Sequence, residues 1–431
     1  MEQKAAGFLR AHNLLPEQVD EEKLLEYFFS EMDRGLAGQP GSLPMIPTYT
    51  QEVDRAASGE KVIVLDAGGT NFRTCLISFD EKGEFTIEDF RKVPMPGIRS
   101  EVSAKEFFCI LADNVERFID KADRIGFCFS YEAGITEEHD GIPYAFSKEI
   151  KAPEVIGKPL ARTLLEELGR RGHDVSGKKF SVVNDTVATL LACKACYHGP
   201  SSGSIGFILG TGTNTAYSEE IANIGKISTA QKGRMIINVE SGGLAYSNSS
   251  VDDSFIASTN NPEIHHFEKL ISGAYLGPYA RHVISLACQE NVFSPGFVSR
   301  FSALESLSTT QMSYYLEDCH RQDYDLVRCV GDNEEDAVNL WLIIRNVIER
   351  AAKMTAVNLS AAVLKSGLGT NPRYPVIINA DGTTFYKTAF LEEYTKKYLF
   401  DILEKRYSRY TRMIRIDDSP ALGAAIAGLS V

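Results

Sequence analysis

Short stretches rich in glycine and threonine follow apolar segments of the sequence, and their residue types suit the binding of anions. The first stretch is Asp66-Ala67-Gly68-Gly69-Thr70-Asn71-Phe72-Arg73, directly after the apolar residues 62–65. Glycines let backbone N–H groups approach a phosphate closely, and a carboxylate at a strand end is a typical ligand of Mg²⁺. The stretch therefore predicts a phosphate-binding hairpin with Asp66 as metal ligand. The alternative is an ordinary tight turn with a capping Asp.

The same pattern occurs again further along the chain. Gly210-Thr211-Gly212-Thr213-Asn214 follows the apolar residues 204–209, and Asp381-Gly382-Thr383-Thr384 follows residues 375–380. Each is predicted to form a hairpin. The recurrence indicates an internally duplicated fold whose turns converge on one polyphosphate.

Several other polar residues are candidates for chemistry or for sugar binding, and each has a structural alternative. Asp185 ends an apolar segment and precedes a helical one, so it is either a base toward a substrate hydroxyl or part of a helix cap with Thr186. Lys148 is either surface or a group that neutralises a transferring phosphoryl. Glu240, before two glycines, is either a hydroxyl-binding acid or a turn residue.

Other nucleotide-binding and cysteine motifs are absent or incomplete. The P-loop pattern and the protein-kinase signatures do not occur, and Gly210-Thr211-Gly212 lacks the third glycine of a dinucleotide fingerprint. The eight cysteines are scattered and make no disulfide scaffold. Cys193 and Cys196 have C-x-x-C spacing without a partner pair, which favours neither a zinc nor a redox role.

Composition limits the possible partners. The 431 residues carry a formal net charge of −13 without a basic cluster, which argues against nucleic-acid binding. No apolar run approaches the ~20 residues that span a bilayer, so no membrane association is expected. The N-terminus lacks the basic-then-apolar order of a signal peptide, and we expect a cytoplasmic protein.

The order of the predicted elements is that of an α/β protein. Apolar strands alternate with helical segments, among them a long helix over residues 334–366. The polar residues 131–141 are expected to form a flexible or binding loop.

Taken together, these motifs resemble the hexokinase family over nearly the whole chain. The ordered blocks that carry the resemblance are Met32-x-x-Gly35-Leu36, Leu43-Pro44-Met45-Ile46-Pro47-Thr48, Leu65 through Arg73, Asn184-Asp185-Thr186-Val187, Gly210 through Asn214, Ile237-Asn238-Val239-Glu240 and Glu268 through Gly277. The resemblance implies a ribonuclease-H-like (actin-like ATPase) α/β fold, duplicated, with two lobes around a central cleft. It assigns residues 58–185 plus 413–431 to a small lobe, and residues 1–57 plus 186–412 to a large lobe.

The resemblance also implies an activity and residue roles. The protein would transfer the γ-phosphoryl of Mg-ATP to the 6-hydroxyl of a hexose, glucose first and mannose or fructose as alternatives. Asp185 would be the general base and Lys148 would stabilise the phosphoryl in transfer. Sugar contacts would be Ser130, Ser147, Asn184, Asn214, Asn238 and Glu240. Phosphate and nucleotide contacts would be Gly68, Gly69, Thr70, Asn71, Arg73, Thr211, Gly212, Gly382 and Thr383, with Asp66 on Mg²⁺.

One departure from the family pattern concerns sugar binding. The family has Leu-Gly-Glu, whose Glu the resemblance assigns to the hexose, where this chain has Leu276-Gly277-Pro278. A missing hydrogen bond to a hydroxyl would cost about 1–3 kcal/mol, and Glu132 is a candidate to compensate. Two alternatives stay open: a sugar-binding regulatory protein of the same fold, and a filament- or chaperone-type ATPase indifferent to sugar.

Overall fold

The structure, a computed structural model, describes residues 4–52, 59–80, 84–146 and 150–431, without the side chain of Lys194. Two large sheets and one small hairpin carry its strands. The strands are β1 (Ile46–Pro47), β2 (Lys61–Gly68), β3 (Asn71–Phe79), β4 (Phe85–Pro94), β5 (Arg124–Phe129), β6 (Ala133–Ile135), β7 (Gly141–Pro143), β8 (Lys179–Val183), β9 (Gly203–Leu209), β10 (Thr213–Glu220), β11 (Arg234–Asn238), β12 (Val376–Asp381) and β13 (Thr411–Ile414).

The two large sheets repeat one topology. The five-stranded sheet has the order β4-β3-β2-β5-β8, with β4, β3 and β2 antiparallel and β5 and β8 parallel to β2. The six-stranded sheet has β11-β10-β9-β12-β13 in the equivalent arrangement, and β1 is added at its edge. Strands that are covered on both faces need continuous apolar sequence, as in β2 and β9. The predicted internal duplication is confirmed.

Helices surround the sheets and are concentrated in the second half of the chain. They are α1 (Lys4–Ala11), α2 (Glu21–Leu36), α3 (Ala104–Val115), α4 (Leu160–Arg170), α5 (Asp185–Cys196), α6 (Ser250–Ser258), α7 (His266–Ile271), α8 (Leu276–Gln289), α9 (Pro295–Ser302), α10 (Thr309–Glu317), α11 (Asp325–Val330), α12 (Glu334–Ser366), α13 (Thr383–Lys387), α14 (Leu391–Leu399) and α15 (Ser419–Leu429). The long helix α12 has the predicted bounds. Within the described ranges, no helix is both long and apolar enough to span a bilayer.

Helices α5 and α15 form the layer between the two sheets. Their apolar residues share a core with the inward faces of β2, β3 and β5 and with Ala216 and Ile236 of the other sheet. Close approach requires small residues: a Cβ added at Gly423 would lie 1.8 Å from the Ala188 carbonyl oxygen, and one at Gly126 would lie 1.8 Å from that of Ala424. Because Asp185 is the first residue of α5, this packing fixes where its carboxylate points.

Two sequence expectations about local structure were wrong, and two residues pair in a different sheet from the one expected. The third glycine turn does not form a hairpin, because β12 runs into helix α13 and pairs in parallel with β9 and β13. Residues 131–141 are not a loop throughout, since β6 and β7 form an antiparallel hairpin there. Residues 413 and 414, expected in the small lobe, pair with β12 in the six-stranded sheet.

We expect Gly423→Ala to lower the stability of the protein. The new methyl group would meet backbone of α5, which cannot move as a side-chain end can, and overpacking of this kind costs about 1–3 kcal/mol. The thermal unfolding midpoint measures the loss. Gly7→Ala in α1 is the control: nothing lies within 4 Å of its added Cβ, and the change should be neutral or stabilising. Equal midpoints for both variants would contradict the packing argument.

Candidate active site

The first glycine turn joins β2 to β3 and lies next to Ser130. Gly69 adopts a left-handed φ of +57°, which glycine takes without strain. A Cβ added at Gly68 would lie 3.2 Å from both Asp66 Oδ1 and Ser130 Oγ. The Tyr131 hydroxyl donates to the Gly69 carbonyl at 2.5 Å, while Thr70 and Asn71 are hydrogen-bonded side chain to side chain. The turn therefore exposes backbone beside a carboxylate and a hydroxyl.

Asp66 is buried and paired with Arg73 across β2 and β3. Arg73 Nη1 lies 2.6 Å from Asp66 Oδ2. Burial raises the pKa of Asp66, and the charge of Arg73 opposes that rise. The sequence assigned Asp66 to a cation, Mg²⁺, and Arg73 to an anion, phosphate. In this structure the two side chains neutralise each other instead.

The donor set around Asp66 suits a Mg²⁺ that keeps most of its ligands from phosphate and water. Within the described residues, no three His, Cys, Asp or Glu side chains are grouped as metal ligands. Mg²⁺ in nucleotide sites is usually held by one or two carboxylates plus phosphates. Asp66 Oδ1 faces the Gly68 turn and is the oxygen that Arg73 does not use. One carboxylate oxygen at a turn predicted to bind phosphate fits that role.

Asp185 lies at the N-terminus of α5, beside Ser130. Its neighbour Asn184 caps the helix, with Oδ1 accepting the Thr186 N–H at 2.9 Å, so Asp185 itself is not the cap. Burial raises the pKa of Asp185, a hydrogen bond from Ser130 opposes the rise, and the charge of Asp66 adds to it. Ser130 therefore lies between the predicted metal ligand and the predicted base.

The predicted amide and carboxylate sugar contacts form one hydrogen-bonded cluster. Asn214 Nδ2 donates to Asn238 Oδ1 at 2.8 Å and to Glu240 Oε1 at 3.3 Å, and lies 3.5 Å from Asn184 Oδ1. Asn238 Nδ2 also donates to Glu240 Oε1, at 2.8 Å. These residues come from β10, β11, the turn after β11 and the start of α5. The structure thus brings together side chains from distant parts of the sequence, and their contact with sugar stays a prediction.

Glu240 is the acid of this cluster, and its proton affinity is unusual. It has a left-handed φ of +56°, which turns the chain sharply after β11. Burial raises the pKa of Glu240 to about 7; the Asn238 hydrogen bond opposes the rise, and the charges of Asp185, Glu132 and Glu268 add to it. Because the charges of these three carboxylates raise the pKa of Glu240, all four groups lie in one region.

Glu268 belongs to this region, and the sequence reasoning missed it. Its Oε2 accepts the Thr213 N–H at 3.0 Å, and a Cβ at Gly212 would lie 2.6 Å from the same oxygen. Burial raises the pKa of Glu268. The signal is present in the sequence, because Glu268 begins one of the blocks that carry the family resemblance. Glu132, proposed only as a compensating residue, is electrostatically linked to Glu240.

The second and third glycine turns pack against each other. Gly382 has a φ of +115°, and a Cβ there would lie 2.2 Å from the Leu209 carbonyl oxygen. The Thr384 hydroxyl donates to the Gly210 carbonyl at 2.8 Å, which makes Thr384 a further contact that the sequence did not single out. The Ala274 N–H donates to the Thr211 carbonyl at 3.1 Å. Thr383 begins α13 immediately beyond.

A cavity of about 490 Å³ connects the base of the first turn to the third. Asp66 and Arg73 line it from the five-stranded sheet, and Asp381 lines it from the six-stranded sheet. The regions around the first and third turns therefore face a shared space. The remaining predicted contacts, Ser147 and Lys148, lie outside the described residues.

Pro278 lies in a different place from the sugar cluster. It is exposed on α8 and lines a second cavity, together with Arg281 and His282. None of the predicted sugar contacts is among the residues that line this cavity. The carboxylate that the structure adds to the cluster comes from Glu268 instead.

Comparisons with known proteins agree on one family. Two family models, both described as hexokinase, match residues 204–430 and residues 6–195. Hexokinase-3 of Homo sapiens is 29% identical over 82% of this chain, and the match covers 39% of that longer protein. Glucokinase of Aspergillus niger is 27% identical over 93% of this chain and 92% of its own length.

Solved structures show the same fold. A hexokinase from Schistosoma mansoni complexed with glucose superposes with a TM-score of 0.79, at 22% identity, over 100% of this chain and 99% of that one. A ROK hexokinase from Thermus thermophilus gives a TM-score of 0.52 at 18% identity, over 85% and 97% of the two chains. The duplicated two-domain architecture is confirmed.

Glu240 should make the stability of the ligand-free protein depend on pH. Because the folded state holds its proton more tightly than the unfolded state, the free energy of unfolding falls as pH rises from about 4.5 to about 7. Glu240→Gln removes this loss, so we expect its melting midpoint at pH 8 to exceed that of the wild type by roughly 2–4 °C.

At pH 5 the two proteins should melt much closer together. Melting midpoints measured from pH 5 to 8 test this, with Glu393→Gln, an exposed residue of α14, as control. A Glu240→Gln variant that is less stable than the wild type at pH 8 would contradict the burial argument.

Proposed function

This chain belongs to the hexokinase family, a family of ATP-dependent sugar phosphotransferases, and from that premise we propose its reaction. It transfers the γ-phosphoryl group of ATP to the 6-hydroxyl of a hexose, with glucose as the first substrate to test and mannose or fructose as alternatives. Asp185 acts as the general base.

The adjacent residues Asn184 and Asp185 carry this proposal. Asn184 Oδ1 lies 3.5 Å from the amide of Asn214 in the polar cluster, while Asp185 is hydrogen-bonded to Ser130, next to the Gly68 turn. A hexose held by the amides and carboxylates of the cluster therefore has a carboxylate at its border with the phosphate-binding turn. This is the geometry that transfer between the two sites requires.

Asp185 is suited to take a proton from the attacking hydroxyl. Its pKa is raised by burial, which strengthens it as a base, while Ser130 and Thr186 hold its orientation. As the hydroxyl oxygen bonds to the γ-phosphorus, the bond to the ADP oxygen breaks and the hydroxyl proton passes to Asp185. In phosphoryl transfer the protein contributes mainly position and charge stabilisation.

The sugar is held by groups that both donate and accept. Hexose hydroxyls do both, so a site needs amides and carboxylates together. Asn184, Asn214, Asn238 and Glu240 provide them in one cluster, and Ser130 and Ser147 complete the proposed set. We add Glu268, whose carboxylate influences Glu240 and supports the turn at Thr213.

The phosphates are assigned to the glycine turns. One wall is assigned to Gly68, Gly69, Thr70 and Asn71, at the end of β2, and the other to Thr211 and Gly212, after β9. Gly382 and Thr383 approach the nucleotide, Arg73 takes phosphate charge when it leaves Asp66, and Lys148 neutralises the phosphoryl in transfer. Mg²⁺, when bound at Asp66, supplies the positive charge that shields the phosphates.

The two lobes are assigned from the two sheets. We propose residues 58–185 plus the C-terminal segment as the small lobe, and the N-terminal region plus residues 186–412 as the large lobe. Since β13 pairs within the six-stranded sheet, the boundary near residue 413 is better drawn after β13, at residue 415. The cleft between the lobes holds both substrates.

Asp185→Asn should lower kcat by at least about 10²-fold, because general-base catalysis typically contributes 10²–10⁴. Hexose affinity, measured by calorimetry, should change only a few-fold. The assay is coupled ADP release with Mg-ATP and glucose, mannose or fructose. Asp325→Asn, at the first position of α11, is the matched control and should keep full activity.

Near-normal kcat in Asp185→Asn would refute the assignment of the base. Hexose binding by the wild type without ADP release would favour the regulatory alternative. ADP release that does not depend on sugar would favour an ATPase.

Glu268→Gln and Pro278→Glu test which position contacts the sugar. Loss of the Glu268 charge should raise the KM for hexose by roughly tenfold, since a hydrogen bond to a charged group contributes about 1.5–3 kcal/mol. Pro278→Glu should leave this KM within twofold, because the side chain faces a separate cavity. A tenfold lower KM in Pro278→Glu would show instead that a sugar contact is missing there.

A further inference from the structure

A second cavity, distinct from the cleft, lies beside α8 and has a volume of about 470 Å³. Its walls come from the end of α6 and from one face of α8, where Pro278, Arg281 and Ser285 are three and four residues apart. No carboxylate is among its lining residues. In a chain with a formal net charge of −13, such a wall is electrically unusual.

Arg281 is the permanent cation of this wall. Its Nη1 is enclosed by protein and meets no hydrogen-bond acceptor in the part of the chain that the structure describes. Its guanidinium carbon lies 5.5 Å from the centroid of the Phe301 ring, an apolar neighbour. The rest of the side chain is half-buried and lines the cavity, so an anion at its accessible nitrogens would offset part of the cost of burying this charge.

The helix itself supplies no counter-ion. Residue i−3 from Arg281 is Pro278 and residue i+4 is Ser285, so the positions that face it along α8 are uncharged. A carboxylate at position 278 would form an ion pair with Arg281 within the first turns of the helix. The accessible part of the Arg281 side chain instead lines the cavity without a counter-ion from its own helix.

We propose that this cavity binds a small phosphate-bearing anion, with Arg281 as its principal ligand. The guanidinium fork matches the geometry of phosphate oxygens. Asn260 and Ser285 line the cavity and make no side-chain hydrogen bond to any described residue, so their donors are available. The Ser258 and Thr259 hydroxyls are not, since they donate to the carbonyls of Phe255 and Ile256.

The volume exceeds that of a phosphate ion and leaves room for an organic group. Phe255 and Tyr275 supply aromatic surface in the same cavity. A phosphate monoester of a small metabolite therefore fits better than inorganic phosphate alone, and both share the chemistry that Arg281 recognises.

Occupancy of this cavity should influence the phosphate-binding turn. Ala274 lines the cavity, and its N–H donates to the Thr211 carbonyl at 3.1 Å. A ligand that contacts Ala274 would thus contact a residue that is hydrogen-bonded to the second glycine turn. This coupling, unlike binding itself, rests on the proposed function, and it must be reciprocal: ADP would change phosphate affinity by the same factor.

Calorimetric titration of the full chain tests binding without requiring turnover. Inorganic phosphate and glycerol 3-phosphate are titrated at constant ionic strength, with and without saturating ADP and glucose to fill the cleft. The wild type should bind at least one of the two ligands in both conditions. Arg281→Met, which keeps the apolar stem on Phe301, should weaken binding at least tenfold.

Pro278→Glu should weaken it similarly, because the new carboxylate pairs with Arg281 and repels phosphate. Arg162→Met is the matched control and should bind as the wild type does, since Arg162 lines another cavity together with Glu138 and Asp140.

Several results would overturn the site. The first is that the wild type binds neither ligand. The second is that binding is lost when ADP fills the cleft, and the third is that Pro278→Glu binds with wild-type affinity. The last variant decides the matter even if Arg281→Met fails to fold, because Pro278 is exposed and glutamate is favourable in the first turn of a helix. A failure of the kinase assay would leave these titrations interpretable.

Discussion

The side-chain amide of Asn214 is the contact on which the candidate site depends. Its Oδ1 accepts the N–H of Thr215 at 2.7 Å and of Ser241 at 3.3 Å, while its Nδ2 donates to Asn238 and Glu240. One buried amide therefore joins β10, β11 and the turn that presents Glu240. With both its oxygen and its nitrogen bonded, this side chain has little rotational freedom, and the groups around it are held in place before any ligand arrives.

Around that amide the protein concentrates negative charge in a poorly hydrated region. Burial raises the pKa of Asp66, Asp185, Glu240 and Glu268, and in Asp185 and Glu240 the neighbouring carboxylates add to the effect. Such an arrangement is costly for the ligand-free fold. Sugar hydroxyls would reduce this cost by donating hydrogen bonds to the carboxylates. A cation that accompanies phosphates would reduce it by its positive charge. Shifted carboxylates grouped in a cleft are typical of catalytic sites rather than of structural ones.

The duplicated topology explains why the predicted anion-binding turns recur, and where they differ. In each sheet the central strand turns into its antiparallel neighbour, at Gly68–Asn71 and at Gly210–Gly212. The third turn follows a parallel strand, whose chain cannot return beside it and must cross over, so α13 begins there. Gly382 is required because any side chain would strike the Leu209 carbonyl. Turns of similar Gly/Thr composition thus adopt two geometries, a hairpin between antiparallel strands and a strand-to-helix turn.

The sequence alone determined the α/β class, the duplication, the long helix α12 and most of the polar cluster, because apolar strands, helical spacing and ordered motifs are local features. It misjudged the third turn and the polar segment 131–141, since strand pairing is decided by neighbours far away in the chain. The tertiary structure alone decided that Arg73 pairs with Asp66, that Glu268 supports the Thr213 turn, and that Pro278 lies beside a separate cavity. Residue types record which groups can bind, but the packing of α5, α7 and α8 against the sheets decides which groups meet.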